Sequence, residues 1–155
     1  MTQTSHTAIG AFIGQVVGHP LLGFLLGFFL HFLIDIIPHG DSKLSDNFRI
    51  FKRKRKQALA YVMIDGTVAI FFILFIFNFK ENFLNTKAVT WGIAGSVLPD
   101  LLVGFYEVTK WKYLKTFYQL HFRFHNYLTQ PYGDIPLHYA LGAQILLVFF
   151  LQSWL

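Results

Sequence analysis

The run from Ala58 to Phe79 limits the fold more than any other feature. Across those 22 residues the only charged side chain is Asp65. A helix of that length reaches about 33 Å, enough for a hydrocarbon core of about 30 Å. Backbone polar groups in lipid must be satisfied within the segment, so such a run is a helix. Further apolar runs cover Leu21 to Ile37, Val89 to Tyr106 and Pro136 to Leu155. With 54% hydrophobic and only 14% charged residues, against roughly 25% charged in soluble proteins, the expected fold is an all-α integral membrane bundle. Its 155 residues suit one domain over 1–155 with about four spanning helices.

Two further segments complete the bundle. Thr7 to Val17 carries Gly10, Gly14 and Gly18 at spacing four. Eleven helical residues reach only about 16 Å, so this is a short helix packed closely on a neighbour through its glycines. Gly23 and Gly27 give the first span a similar face. Lys110 to Leu128 mixes Lys110, Lys112, Lys115 and Arg123 with aromatics, as an amphipathic interfacial helix does. Met1 to Thr7 has no basic n-region, so no removable signal peptide is expected.

Charge sets the orientation. The formal net charge is +5, and six of the thirteen Lys and Arg fall between Arg49 and Lys56. Beside apolar spans such a cluster is a positive-inside signal rather than a nucleic-acid patch. Leu21 to Ile37 then ends at the cytoplasmic leaflet of the membrane, Ala58 to Phe79 starts there, and Val89 to Tyr106 returns to it. His31, Asp35, His39, Asp41, Asp65 and Asp100 all come to that side.

These side chains need a reason to be there, because a charged residue in lipid costs roughly 2.5 to 3.5 kcal/mol on insertion scales. In His31-Phe-Leu-Ile-Asp35-Ile-Ile-Pro-His39-Gly-Asp41, His31 and Asp35 lie one turn apart on one helix face. Pro38 should stop the helix, and Gly40 should let His39 and Asp41 fold back. His121 and His125 form a second pair four apart. Asp65 and Asp100 are single acids in apolar helices, each placed to ligate a metal, bridge two or orient a histidine, with Pro99 expected to kink the helix beside Asp100. His6 lies outside the apolar run but can fold over the same face. His19 and His138 are more simply packed or interfacial.

The chain has no cysteine, so any metal must be held by nitrogen and oxygen. His and Asp together suit zinc, manganese, iron or another first-row divalent ion. One or two such ions, zinc foremost, would lower the pKa of a bound water and clamp the oxygens of a phosphoester. Asp65, Asp100 and Arg123 are candidate catalytic groups, Arg123 by neutralising phosphate. A site at headgroup level points to a lipid or lipid-linked substrate. The competing functions are an ion or metal transport protein, and a scaffold whose His and Asp pairs lock helices together.

Short motifs carry a family likeness. Ser5-His6-Thr7-Ala8-Ile9-Gly10, the His31 to Asp41 block, Leu98-Pro99-Asp100 and the His121, His125 pair resemble the small membrane-bound metal-dependent hydrolases of the YdjM type. That family is similar, more distantly, to zinc-dependent phospholipase C. The resemblance implies an all-helical membrane hydrolase with His6, His31, Asp35, Asp100, His121 and His125 as metal ligands.

Overall fold

A computed structural model describes residues 1–41, 52–80 and 83–155, without the side chains of 52–55. Beyond Asp41, the polar connector expected from Asp41 to Phe51 lies outside the described residues, as do Glu81 and most of the basic cluster's side chains. The described chain is all helical: α1 (Gln3–Val17), α2 (Pro20–Ile34), α3 (Lys52–Phe79), α4 (Thr86–Thr109), a 3-10 turn (Lys112–Leu114), α5 (Lys115–His125), α6 (Thr129–Tyr132) and α7 (Leu137–Gln152).

Helices α1 and α2 form an antiparallel hairpin, and α4 lies against both. Small residues make that approach possible. A Cβ on Gly10 would sit 2.5 Å from the Gly92 carbonyl oxygen, and one on Gly14 2.3 Å from that of Ala88. One on Gly27 would meet the Gly92 oxygen at 2.6 Å, and one on Gly95 the Phe24 oxygen at 2.1 Å. Larger side chains would force the backbones apart. Gly18 has a different task from the one its spacing suggested: at φ +62° it ends α1 in the left-handed conformation, its N–H bonded to Gly14.

Helix α1 starts four residues before the expected Thr7. Thr2 caps it by accepting from the Ser5 N–H, and Asp65 of α3 accepts from the Gln3 and Thr4 N–H groups at 2.6 and 3.2 Å. His6 is therefore a buried residue of α1, not a flap over its end. Helix α2 stops at Ile34, three residues short of the expected Ile37, with Asp35 as its C-cap. Pro38 follows in the turn, so the helix ends ahead of it. Helix α4 runs on through Pro99, whose missing N–H leaves the Gly95 carbonyl without its helical donor.

Two helical segments are long and apolar enough to cross a membrane, Lys56–Phe79 and Thr86–Thr109; Pro20–Ile34 and Leu137–Gln152 are apolar but shorter. Little of α3 is buried within the protein: Met63, Ile64, Ile70 and Phe71 are each at least 60% exposed. Apolar packing fills the bundle away from α1's first turns, where Ala11, Ile76, Val89, Ile93 and Leu155 meet. The start of α1, the end of α2, Asp65 on α3, Asp100 on α4 and the inner face of α5 all gather at the opposite end.

Candidate metal centre

Two groups of metal-competent donors lie side by side at that end. In the first, donor atoms of His6, His31, Asp35 and Asp100 lie within 4.8 Å of one another. His121 joins them from α5. Its Nε2 is 3.7 Å from Asp35 Oδ2 and 3.5 Å from Asp100 Oδ1, while His31 Nε2 is 3.4 and 3.6 Å from the same two oxygens. A tetrahedral divalent ion with bonds of about 2.0–2.2 Å has ligand edges of about 3.3–3.6 Å, and these four nitrogen–oxygen separations lie close to that range. His6 stacks on His31 with ring centroids 4.1 Å apart, its Nε2 3.0 Å from the other oxygen of Asp35.

The second group is His39, Asp41 and His125. His39 Nε2 and His125 Nε2 lie 2.7 and 3.1 Å from Asp41 Oδ1 and 3.0 Å from each other. These separations are shorter than those of the first group and lie within hydrogen-bond range. Gly40, at φ +86°, supplies the fold-back the sequence requires. The Met1 amino nitrogen lies between the groups, 2.7 Å from Asp35 Oδ1 and 2.6 Å from His39 Nε2.

Hydrogen bonds behind the rings decide which nitrogen faces inward. His31 Nδ1 is 2.8 Å from the Ser96 carbonyl oxygen, and His39 Nδ1 is 2.6 Å from that of Ile37. A carbonyl only accepts, so each Nδ1 carries the hydrogen, and in the neutral ring Nε2 presents a lone pair. His125 Nδ1 likewise meets the Asn126 side-chain oxygen at 3.2 Å. Lone pairs thus converge on carboxylates, and His31 Nε2 and Asp35 Oδ2 are buried with no hydrogen-bond partner among the described residues. Such acceptors need a cation, and a backing acceptor on the far nitrogen is how metal-bound histidines are oriented. The donor set fits a divalent metal.

The surroundings act differently on the two histidines of α5. Burial pushes the His121 imidazole down to about 3. Burial also opposes charge on His125, but the Asp41 carboxylate bonded to it outweighs this and holds it above its ordinary value.

The remaining predicted residues fall elsewhere. Asp65 spends both oxygens on α1, accepting from the Gln3 and Thr4 amides and the Thr4 hydroxyl. It belongs to neither donor group, because the orphan amides at a helix start bind a carboxylate well. Arg123 is exposed, and two residues along a helix from His121 and from His125 it lies on the other side of α5 from both. His19 caps α2 through Nδ1 at 3.4 Å from the Leu22 N–H, and exposed His138 lies against Tyr139 with the rings tilted by 44°.

Two residues that sequence reasoning passed over, Gln3 and Gln144, and one that it reads as a simple loop charge, Asp134, support the site. Gln3 Nε2 donates to Asp100 Oδ2 at 2.6 Å. Gln144 of α7 accepts from the Thr2 N–H at 2.8 Å and the Ser5 hydroxyl at 3.3 Å; a lone buried amide in an apolar helix was its visible signal. Asp134 accepts from the Gly40 N–H at 2.8 Å, holding the turn that carries His39 and Asp41. A cavity of about 270 Å³ opens from the donor groups between α3, α4 and α5. Its polar end has Asp41, Asp100, His121 and His125, and Leu59, Val62, Val103 and Val108 are among its apolar walls.

Comparison of the chain with protein families, with curated proteins and with solved structures finds no match.

Proposed function

We propose that the protein is a membrane-embedded, metal-dependent hydrolase of phosphoesters, loaded with one or two zinc ions. The observation that carries this is the convergence of His31, His39 and His125, each with Nδ1 backed by an acceptor, on carboxylates beside a mostly apolar-walled cavity. Bound there, zinc supplies a Lewis acid and a water of lowered pKa. The chain's own residues do the rest. Gln3 holds Asp100 at the mouth of the first group, where its carboxylate can take a proton from an attacking water. Asp35 orients His6 with one oxygen and faces His31 and His121 with the other.

The likeness to YdjM-type hydrolases and to zinc-dependent phospholipase C supports the same reading. In this arrangement α2 and α7 join α3 and α4 as four spans, the shorter two meeting a locally thinned bilayer. The basic residues from Arg49 to Lys56 support an orientation with the metal end at the cytoplasmic leaflet, within reach of lipid or lipid-linked phosphoesters. Transport is less well supported, because the donors crowd one end of the bundle while Ala11, Ile76, Val89 and Ile93 fill the other part.

The test is elemental analysis after purification in detergent without chelator. One or two zinc per chain is expected, and His31→Ala should remove metal and phosphodiester hydrolysis together. A metal-free wild type of undiminished stability would overturn the proposal.

A further inference from the structure

Resting on the phosphoester reading, we propose that Tyr61 contacts the substrate, its phenol donating a hydrogen bond to a phosphoryl oxygen in the cavity. Ala58, Tyr61, Val62 and Asp65 line the cavity from α3, at the three- and four-residue spacing of one helix face. Asp65 is committed to the α1 amides. The Tyr61 hydroxyl is buried and has no hydrogen-bond partner among the described residues. It is therefore the polar group this wall has to spare.

An unpaired buried hydroxyl is costly, and buried polar groups are nearly always satisfied. In a cavity wall, the missing partner arrives with the ligand. The chemistry of the polar end says what kind of group that is. Asp41 and Asp100 present acceptors, which serve cations, and the Met1 amino group that also lines the cavity is turned to Asp35 and His39, so a phosphoryl group's outer oxygens still lack a free donor. A neutral phenol supplies one without competing for metal. Leu59, Val62, Val103 and Val108 leave apolar room for the esterified group. That phosphoryl group can belong to a soluble ester or to a lipid headgroup.

The experiment compares zinc-loaded wild type and Tyr61→Phe in one detergent, by zinc content, melting midpoint, and calorimetric affinity for inorganic phosphate and for dispersed phosphatidic acid. Phenylalanine keeps the ring and removes only the unpaired oxygen, so zinc content and melting should not fall. Affinity should weaken about 10- to 100-fold, the worth of one hydrogen bond to a charged group. Weakening toward both ligands supports the contact with a site open to soluble esters; binding and weakening confined to phosphatidic acid support it with a lipid source. Unchanged affinity in Tyr61→Phe overturns the role of Tyr61 and leaves the hydrolase proposal standing. Loss of zinc from the variant would assign the hydroxyl to the metal cage instead and also overturn it. A zinc-loaded wild type that binds neither ligand overturns the phosphoester reading, and Tyr61's role with it.

Discussion

The two donor groups differ in what holds them. His6, His31, Asp100 and His121 of the first sit within four separate helices, with Asp35 capping one of them. His31 and Asp35 are fully buried, and the backbones behind them meet through glycines. In the second group His39 and Asp41 ride on the turn after α2, tied down by the Gly40 N–H bond to Asp134. Exposure does not separate the groups, since Asp100 of the first keeps 20% while Asp41 and His125 of the second keep 11% and 9%; the difference lies in the backbone that carries them. A cage on packed helices is preorganised; one on a turn must be ordered as it binds. The first group should therefore hold metal tightly and the second should exchange it.

The largest effect should come from Asp35→Ala, which tests whether the groups are separable at all. Asp35 bonds His6 through one oxygen and faces His31 and His121 through the other. Its loss removes an edge from the first group and leaves buried imidazoles facing each other. Metal affinity there should fall by more than the roughly 10- to 100-fold typical of losing a supporting residue. Equilibrium dialysis should show the tight ion gone, with the melting midpoint lowered as well. Asp35→Asn, similar in volume, separates lost charge from lost packing. Retention of the tight ion in both variants would mean that Asp35 is not a ligand.

Acidification should sharpen the contrast. Protons compete with metal for the same lone pairs. His125, held above its ordinary value of 6.5 by Asp41 despite burial, takes up a proton before His121, which burial drives from 6.5 to about 3. Lowering the pH from 8 to about 2 should release metal in two steps, the second group emptying first, as followed with a metal-sensitive dye. In the metal-free protein the signs separate as well. Between 6.5 and about 3 an unfolded chain protonates His121 while the native one does not, so stability falls as pH falls through that window. His125 contributes stability that is full below 6.5 and is lost as pH rises through its native value. A single release step would merge the two groups into one cooperative centre.

The first group was more legible in the sequence than the bonds that position it. His31 and Asp35 announce themselves because helical spacing puts them on one face of an apolar run, where an unpaired charge is expensive. The same reasoning finds His121 with His125, and it finds the Gly40 turn from the need for a positive φ after Pro38. Helix ends were less legible. The start of α1 depends on Asp65, 62 residues away from Gln3, and no local pattern contains that bond. For the same reason Asp65 reads as a ligand in the sequence and serves as a cap in the structure. Arg123 misleads in the other direction: proximity along the chain to two histidines says nothing about facing, and half a helical turn carries it to the outside.

The smallest effect, and the most selective, belongs to Asp134→Ala. Asp134 is a member of neither donor group; its Oδ1 accepts from the Gly40 and Ile135 N–H groups at 2.8 and 2.9 Å. Gly40 sits between His39 and Asp41 in the left-handed region, so this bond fixes how the turn presents both ligands. Removing it leaves every metal-competent side chain in place and loosens the turn that carries His39 and Asp41. Affinity of the weaker ion should drop about 10-fold, the low end for a supporting residue, and the tight ion should be unaffected. If the groups share one rigid centre, both ions weaken together, so a competition titration that resolves the two affinities separates a turn-borne exchangeable site from a single dinuclear cluster.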